Sequence, residues 1–138
     1  MRKYLIAAGA AAGLFVSTTF AGASNYAATY SKVGMAYDVC VTNDPSSPEI
    51  TNIQFGAFNT QPKPVAAPAN WSFKTTFSTA TGYSAEWDVL LGSPGIQAGQ
   101  TLCGFEFSLH GKPLKGPEPV TLYTDGRIFL ATTTATRS

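Results

Sequence analysis

Gly99-Gln-Thr-Leu-Cys-Gly-Phe-Glu-Phe-Ser-Leu109 decides how this chain is read. Cys103, Phe105, Phe107 and Leu109 alternate with Gly104, Glu106 and Ser108, the period of a strand with one buried face. The same period recurs on both sides of it. Trp71, Phe73, Thr75 and Phe77 alternate with Ser72, Lys74, Thr76 and Ser78, and Tyr83, Ala85, Trp87, Val89 and Leu91 with Ser84, Glu86, Asp88 and Leu90. Met35–Thr42 sets Tyr37, Val39 and Val41 against Asp38, Cys40 and Thr42; Glu49–Phe58 places Ile53, Phe55 and Ala57 on one face.

Between these runs stand turn signals. Asn43-Asp44-Pro45-Ser46-Ser47-Pro48 and Gly92-Ser93-Pro94-Gly95 are dense in turn residues. Asp125-Gly126, between Val120–Thr124 and Arg127–Thr134, predicts a two-residue hairpin turn. Gln61–Asn70 carries three prolines, so it is excluded from a sheet interior and reads as a loop crossing between sheets. No segment after residue 23 holds a helical period. Seven to eight short strands with turns about every ten residues predict an all-β, antiparallel two-sheet sandwich.

The first 23 residues read as a signal peptide rather than as structure. Arg2 and Lys3 precede an apolar run from Tyr4 to Val16, and Ala21-Gly22-Ala23 offers small residues at a cleavage site. The apolar run, about 13 residues long, falls short of the roughly 20 a membrane span needs. No cysteine near the cleavage site, no twin arginine and no apolar C-terminal tail point to an anchor. Residues 24–138 then form one domain, secreted or periplasmic and free of the membrane, and the short alanine-rich leader suggests a bacterial source. Losing Arg2 and Lys3 takes the formal net charge from +1 to −1, with no basic run to bind nucleic acid.

Cys40 and Cys103, the two cysteines of an exported chain, are expected to form a disulfide. Closing a loop of about 60 residues stabilises by roughly 4 kcal/mol on the chain-entropy account. Their faces conflict, however. Cys103 shares a face with Phe105 and Phe107, and Cys40 with Asp38 and Thr42. Either a bulge re-aims one strand, or the bond lies away from the core centre.

The run from Trp87 through Ile96-x-x-Gly99 to Leu102-x-Gly104-Phe105-x-Phe107 resembles small secreted bacterial β-sandwich domains of immunoglobulin or fibronectin-III type. The resemblance implies the fold and no activity. The tyrosine expected two residues before the second cysteine is Thr101 here, and no tryptophan stands shortly after Cys40.

Chemistry-bearing residues are sparse. Glu86 and Asp88 share a strand face about 6–7 Å apart, a spacing two hydrolytic carboxylates could use and any solvent-facing strand also shows. Glu106 and His110 could pair as acid and base, but no nucleophile motif accompanies them. Asn43 and Asp44, with Asp38 or Glu49, offer oxygen ligands without regular calcium-loop spacing, and one histidine is a poor start for zinc. No catalytic residue, cofactor or metal is therefore expected. The aromatics Trp71, Tyr83, Trp87 and Tyr123 are the remaining ligand-contact candidates, with Tyr123 facing away from Val120 and Leu122.

The reading is an exported, non-enzymatic protein with a structural, surface or adhesion role. Its partners would be surface glycans or other protein subunits, the latter met by strand addition through residues 24–34 or Thr132–Thr136. The alternatives are a carbohydrate-binding module using exposed rings and, last, a small hydrolase built on Glu86, Asp88, Glu106 or His110.

Overall fold

A computed structural model describes residues 25–138; the expected signal peptide lies outside the described residues. The chain forms β1 (Ala27–Val33), β2 (Ala36–Thr42), β3 (Asn52–Phe58), β4 (Lys63–Ala66), β5 (Trp71–Ser78), β6 (Gly82–Val89), β7 (Thr101–Ser108), β8 (Glu118–Thr124) and β9 (Ile128–Arg137). They hydrogen-bond in the order β4-β7-β2-β1-β9-β8-β3-β6-β5. The all-β expectation stands, but the two-sheet sandwich of seven to eight strands does not. The structure is one nearly closed, barrel-like sheet of nine strands.

Two features make the difference. β1 pairs with β2 antiparallel on one side and with β9 in parallel on the other, joining what would otherwise be separate sheets. The ninth strand is β4, inside the proline-rich segment expected to be a loop. It pairs only with β7 and so lies at an edge, where a residue without an N–H is tolerated. The two edge strands meet at a seam, where the Thr75 hydroxyl donates to the Pro62 carbonyl at 3.1 Å.

The inward faces carry the alternating apolar residues. Tyr30, Val39, Val41, Ile53, Phe55, Trp87, Phe105, Phe107 and Leu122 are fully buried. Trp71 meets Phe105 edge-on at 5.0 Å and Phe55 lies 5.5 Å from Phe107, spacings at which rings gain beyond their buried area. The buried Tyr30 hydroxyl donates to the Gly116 carbonyl at 2.6 Å.

Two glycine bulges overturn the simple alternation. Val39 pairs with Phe105 and Val41 with Leu102, so Cys103 and Gly104 together oppose Cys40. Gly104, at φ +98°, supplies the left-handed residue that such a bulge uses. The extra residue turns Cys103 outward, away from Phe105, onto the face that Cys40 shares with Asp38. The Asp38 carboxylate accepts the Gly104 N–H at 2.8 Å, satisfying a backbone donor beside the irregular pair.

Cys40 and Cys103 are bonded, with Cα atoms 4.0 Å apart. Both answers to the facing conflict hold: a bulge re-aims β7, and the bond lies outside the core. It joins neighbouring strands, not opposed sheets. In β3, Phe55 pairs with Ala85 and Phe58 with Tyr83, so Gly56, at φ +87°, sits in a second bulge. Ala57 is consequently exposed and Phe58 buried, the reverse of the expected facing.

The hairpin after β8 also differs from expectation. Thr124 pairs with Ile128, leaving a three-residue loop, Asp125–Arg127, in place of a two-residue turn. The segments read as candidates for strand addition already belong to the sheet: residues 27–33 are β1, and Thr132–Thr136 lie within β9, where residues 132–135 pair with β8 and residues 135–136 with β1.

Candidate functional site

The outer face of β3, β6 and β5 collects polar groups in register. Asn52 pairs with Asp88, Gln54 with Glu86, Ser72 with Asp88 and Lys74 with Glu86. A carboxylate on the outer face of a strand ordinarily meets water, yet Glu86 is 0% exposed. The reason is Arg127. From the β8–β9 loop it reaches over β3, and its Nη1 donates to Glu86 Oε2 at 2.6 Å. Asn52 Nδ2 donates to the same oxygen at 2.6 Å and also to Asp88 Oδ1. Lys74 Nζ closes the group, 3.7 Å from Glu86 and 3.4 Å from Asp88.

Arg127 is held by one further contact. Its guanidinium lies 5.1 Å from the Tyr123 ring centroid, a cation–π distance, and Tyr123 in turn meets Phe129 edge-on. The hydrogen bond to Glu86 raises the Arg127 pKa above its ordinary value. Its backbone nonetheless sits at φ +56°, a region a non-glycine residue occupies at a cost of about 1 kcal/mol or more. Ion pairing keeps a strained turn in place.

An Arg127→Ala variant is expected to lose about 2–3 kcal/mol, because one partner of a buried carboxylate is removed while Asn52 and Lys74 remain. Arg127→Gly should be more stable than Arg127→Ala by about 1 kcal/mol, since glycine accepts the positive φ without strain. Urea unfolding of the two variants checks the order, and equal midpoints would remove the strain argument.

Beside this cluster opens a cleft of about 520 Å³, lined by Glu49, Asn52, Asp88, Leu90, Leu91, Asp125 and Arg127 among others. Its rim is apolar. Leu91 is fully exposed at 105%, Leu90 is half exposed, and the exposed Ile128 and Phe129 come directly after Arg127. A second cavity, of about 350 Å³, lies near Phe58, His110, Lys112 and Glu118; burial pushes the Glu118 carboxyl up.

The residues singled out in the sequence separate under this geometry. Glu86 and Asp88 come together through Asn52. Glu106 lies on β7 opposite Asp38, and His110 stands in the exposed loop beyond that strand, so these four do not converge. Trp87 is 0% exposed and Trp71 8%, which makes both core residues and leaves only Tyr83 and Tyr123, each half-buried, with surface to offer a ligand. Asn52, Lys74 and Arg127 escaped sequence reasoning, because their partners lie on other strands. The one usable signal for Arg127 was its place directly after Asp125-Gly126.

Of the oxygen ligands considered for calcium, Asp38 receives the Gly104 N–H and Glu49 the Gly95 N–H, whereas Asn43 donates through Nδ2 to the carbonyls of Pro48 and Ile96 and its buried Oδ1 has no hydrogen-bond partner among the described residues. Among the described residues no three acids, histidines or cysteines could hold a metal ion.

Partial burial pushes the Asp44 carboxyl up. Hydrogen bonds from the Ser46 N–H and hydroxyl and the Asn25 N–H outweigh it, and hold the group below its ordinary value. A carboxylate with a depressed folded pKa lends stability above its unfolded pKa, and that stability is lost as pH falls through the folded value. Asp44→Asn is therefore expected to be less stable than the parent near neutrality. The gap should close in strong acid, as read from denaturant midpoints at the two pH values.

The fold has solved counterparts. An uncharacterised protein of Nocardia farcinica, described as having an immunoglobulin-like fold, superposes with a TM-score of 0.50 at 14% identity, over 79% of this chain and 81% of that one. The fold is immunoglobulin-like. A cohesin module from a family 33 glycoside hydrolase of Clostridium perfringens ATCC13124 matches with a TM-score of 0.40 and 14% identity, over 84% of this chain and all of that one. No protein-family model matches the chain, and no curated protein does.

Proposed function

We propose that this chain is an exported, non-enzymatic interaction module with a surface or adhesion role, acting through the end of the barrel that carries the Leu90-Leu91 and Asp125–Phe129 loops. The observation that carries this reading is the exposure of Leu90 and Leu91, which line a polar cleft, with the exposed Ile128 and Phe129 following directly on Arg127 of the same cleft. Large apolar side chains gathered around a cleft and held up to water mark contact surfaces more often than they mark anything else. The disulfide supports an extracellular or periplasmic setting, because such bonds persist in oxidising compartments. The immunoglobulin-like frame supports a structural or interaction role, one such frames commonly carry.

Two measurements test it. Mass spectrometry of the protein recovered outside the cytoplasm should find an N-terminus at Ser24; a chain retained inside with Met1 in place would end the export reading. Labelled protein should be retained by the producing cells' surface or matrix, and the double variant Leu91→Ser/Phe129→Ser should lose most of that retention. Light scattering on the eluted protein then separates a second copy from a different partner. Equal retention of parent and variant would count against the rim as the working surface.

A further inference from the structure

We infer that the cleft between Asp88–Gly92 and Asp125–Arg127 receives a lysine or arginine side chain of a partner polypeptide, flanked there by apolar residues. This rests on the interaction-module reading and names the chemistry of the partner.

The decisive group is Asn52. It is 2% exposed, lines the cleft, and its amide nitrogen is fixed by two carboxylates, Glu86 and Asp88. Carboxylates accept and do not donate, so the amide can face them only with Nδ2. Oδ1 is thereby turned away from both, and it has no hydrogen-bond partner among the described residues. A buried carbonyl oxygen without a donor costs roughly 1–3 kcal/mol, and because Oδ1 is closed to solvent, a ligand N–H supplies what it lacks by displacing the side chains that cover it.

The surrounding charge selects the donor. Three carboxylates, Glu49, Asp88 and Asp125, line the cleft against one cation, Arg127, and the adjoining Glu86 and Lys74 add one charge of each sign. Both cations are committed to Glu86, and Asp125 has no ion pair among the described residues. The excess is negative and the open acceptors are spread out. They do not converge as a metal would require. Spread acceptors suit the several N–H donors of an ammonium or guanidinium group.

The rim selects the carrier. Leu90 and Leu91 line the same cleft, and Ile128 and Phe129 come next after Arg127, so a bare amine would leave this surface in water. A polypeptide carrying apolar residues on both sides of one basic side chain covers it.

The test uses three blocked pentapeptides, each with a central residue between two leucines: lysine, arginine or norleucine. Binding to the disulfide-bonded protein is monitored by two-dimensional amide NMR. The lysine or arginine peptide is expected to move the Asn52 side-chain amide and the Asp125–Arg127 backbone resonances. It should bind at least about tenfold more tightly than the norleucine peptide, the factor that one charge-assisted contact of about 1.4 kcal/mol provides. Asp125→Asn and Leu91→Ser alter exposed side chains and leave the fold intact; each should weaken binding severalfold. Equal binding of the norleucine peptide at the same resonances would overturn the cation assignment while leaving the module reading in place. Shifts confined to other surfaces, or none, would overturn the site itself.

Discussion

Replacing Cys40 and Cys103 together by serine is expected to lower the unfolding free energy by about 4 kcal/mol, the loop-closure entropy of the 63-residue separation. With a urea dependence of about 1.5 kcal/mol per molar for a domain of this size, the midpoint should fall by roughly 2.5–3 M. The native state contributes little to the loss. Both sulfurs lie on the outer face of adjacent strands, so two serines leave no cavity in the core and can hydrogen-bond to water. The effect acts on the unfolded chain, which regains the freedom that the bond removes. A midpoint change of less than about 0.5 M would mean that the β2–β7 ladder and its Asp38–Gly104 contact persist in the denatured ensemble. Because Cys103 is exposed, a reductant should also open the bond without prior unfolding, in a single step that thiol titration records.

Gly56→Ala is expected to cost about 3 kcal/mol. A Cβ at position 56 would fall 2.0 Å from the Phe58 ring, and the backbone there has φ +87°. The conformational strain accounts for about 1 kcal/mol and displacement of a packed ring for roughly 1–3 kcal/mol more. Phe58 cannot move freely, since it lies 6.1 Å from Phe55 and 5.6 Å from Phe107 in the core. A double-mutant cycle separates the two contributions. In a Phe58→Ala background the clash is gone, and Gly56→Ala should then cost only the strain. An undiminished penalty in that background would show that the ring does not contribute.

These two sites also mark where sequence reasoning stopped. Alternation located the strands because each buries one face, and it placed Val39, Phe55, Trp87 and Phe105 inward. It failed within one or two residues of Gly56 and Gly104, where an inserted residue reverses the facing of its neighbours. A glycine inside an alternating run is itself a bulge signal, and both glycines carried it. The Cys40–Cys103 pairing was legible from composition, and the conflict of faces marked one of the two strands as irregular without saying which; the structure puts the bulge in β7.

The candidate cleft was legible only in half. Glu86 and Asp88 stood out as a pair, but their expected exposure depended on nothing lying above them. Glu86 is covered by a side chain 41 residues later, on a loop whose length the Asp-Gly signal understated. Period and spacing describe neighbours along a strand. The group around Asn52 is made of neighbours across four elements, fixed by register, which a single sequence does not state.

The parallel pairing of β1 with β9 bears on how the molecule would carry load. Ala28 lies beside Ala135 and Tyr30 beside Arg137, and Ser138 still donates its N–H to the Tyr30 carbonyl. The two strands run in the same direction, so a pull on Asn25 and Ser138 drags them past one another along their length. Their hydrogen bonds then share the force side by side and do not peel in turn. Tension applied between those two points meets the barrel as shear, the direction in which a short ladder resists most.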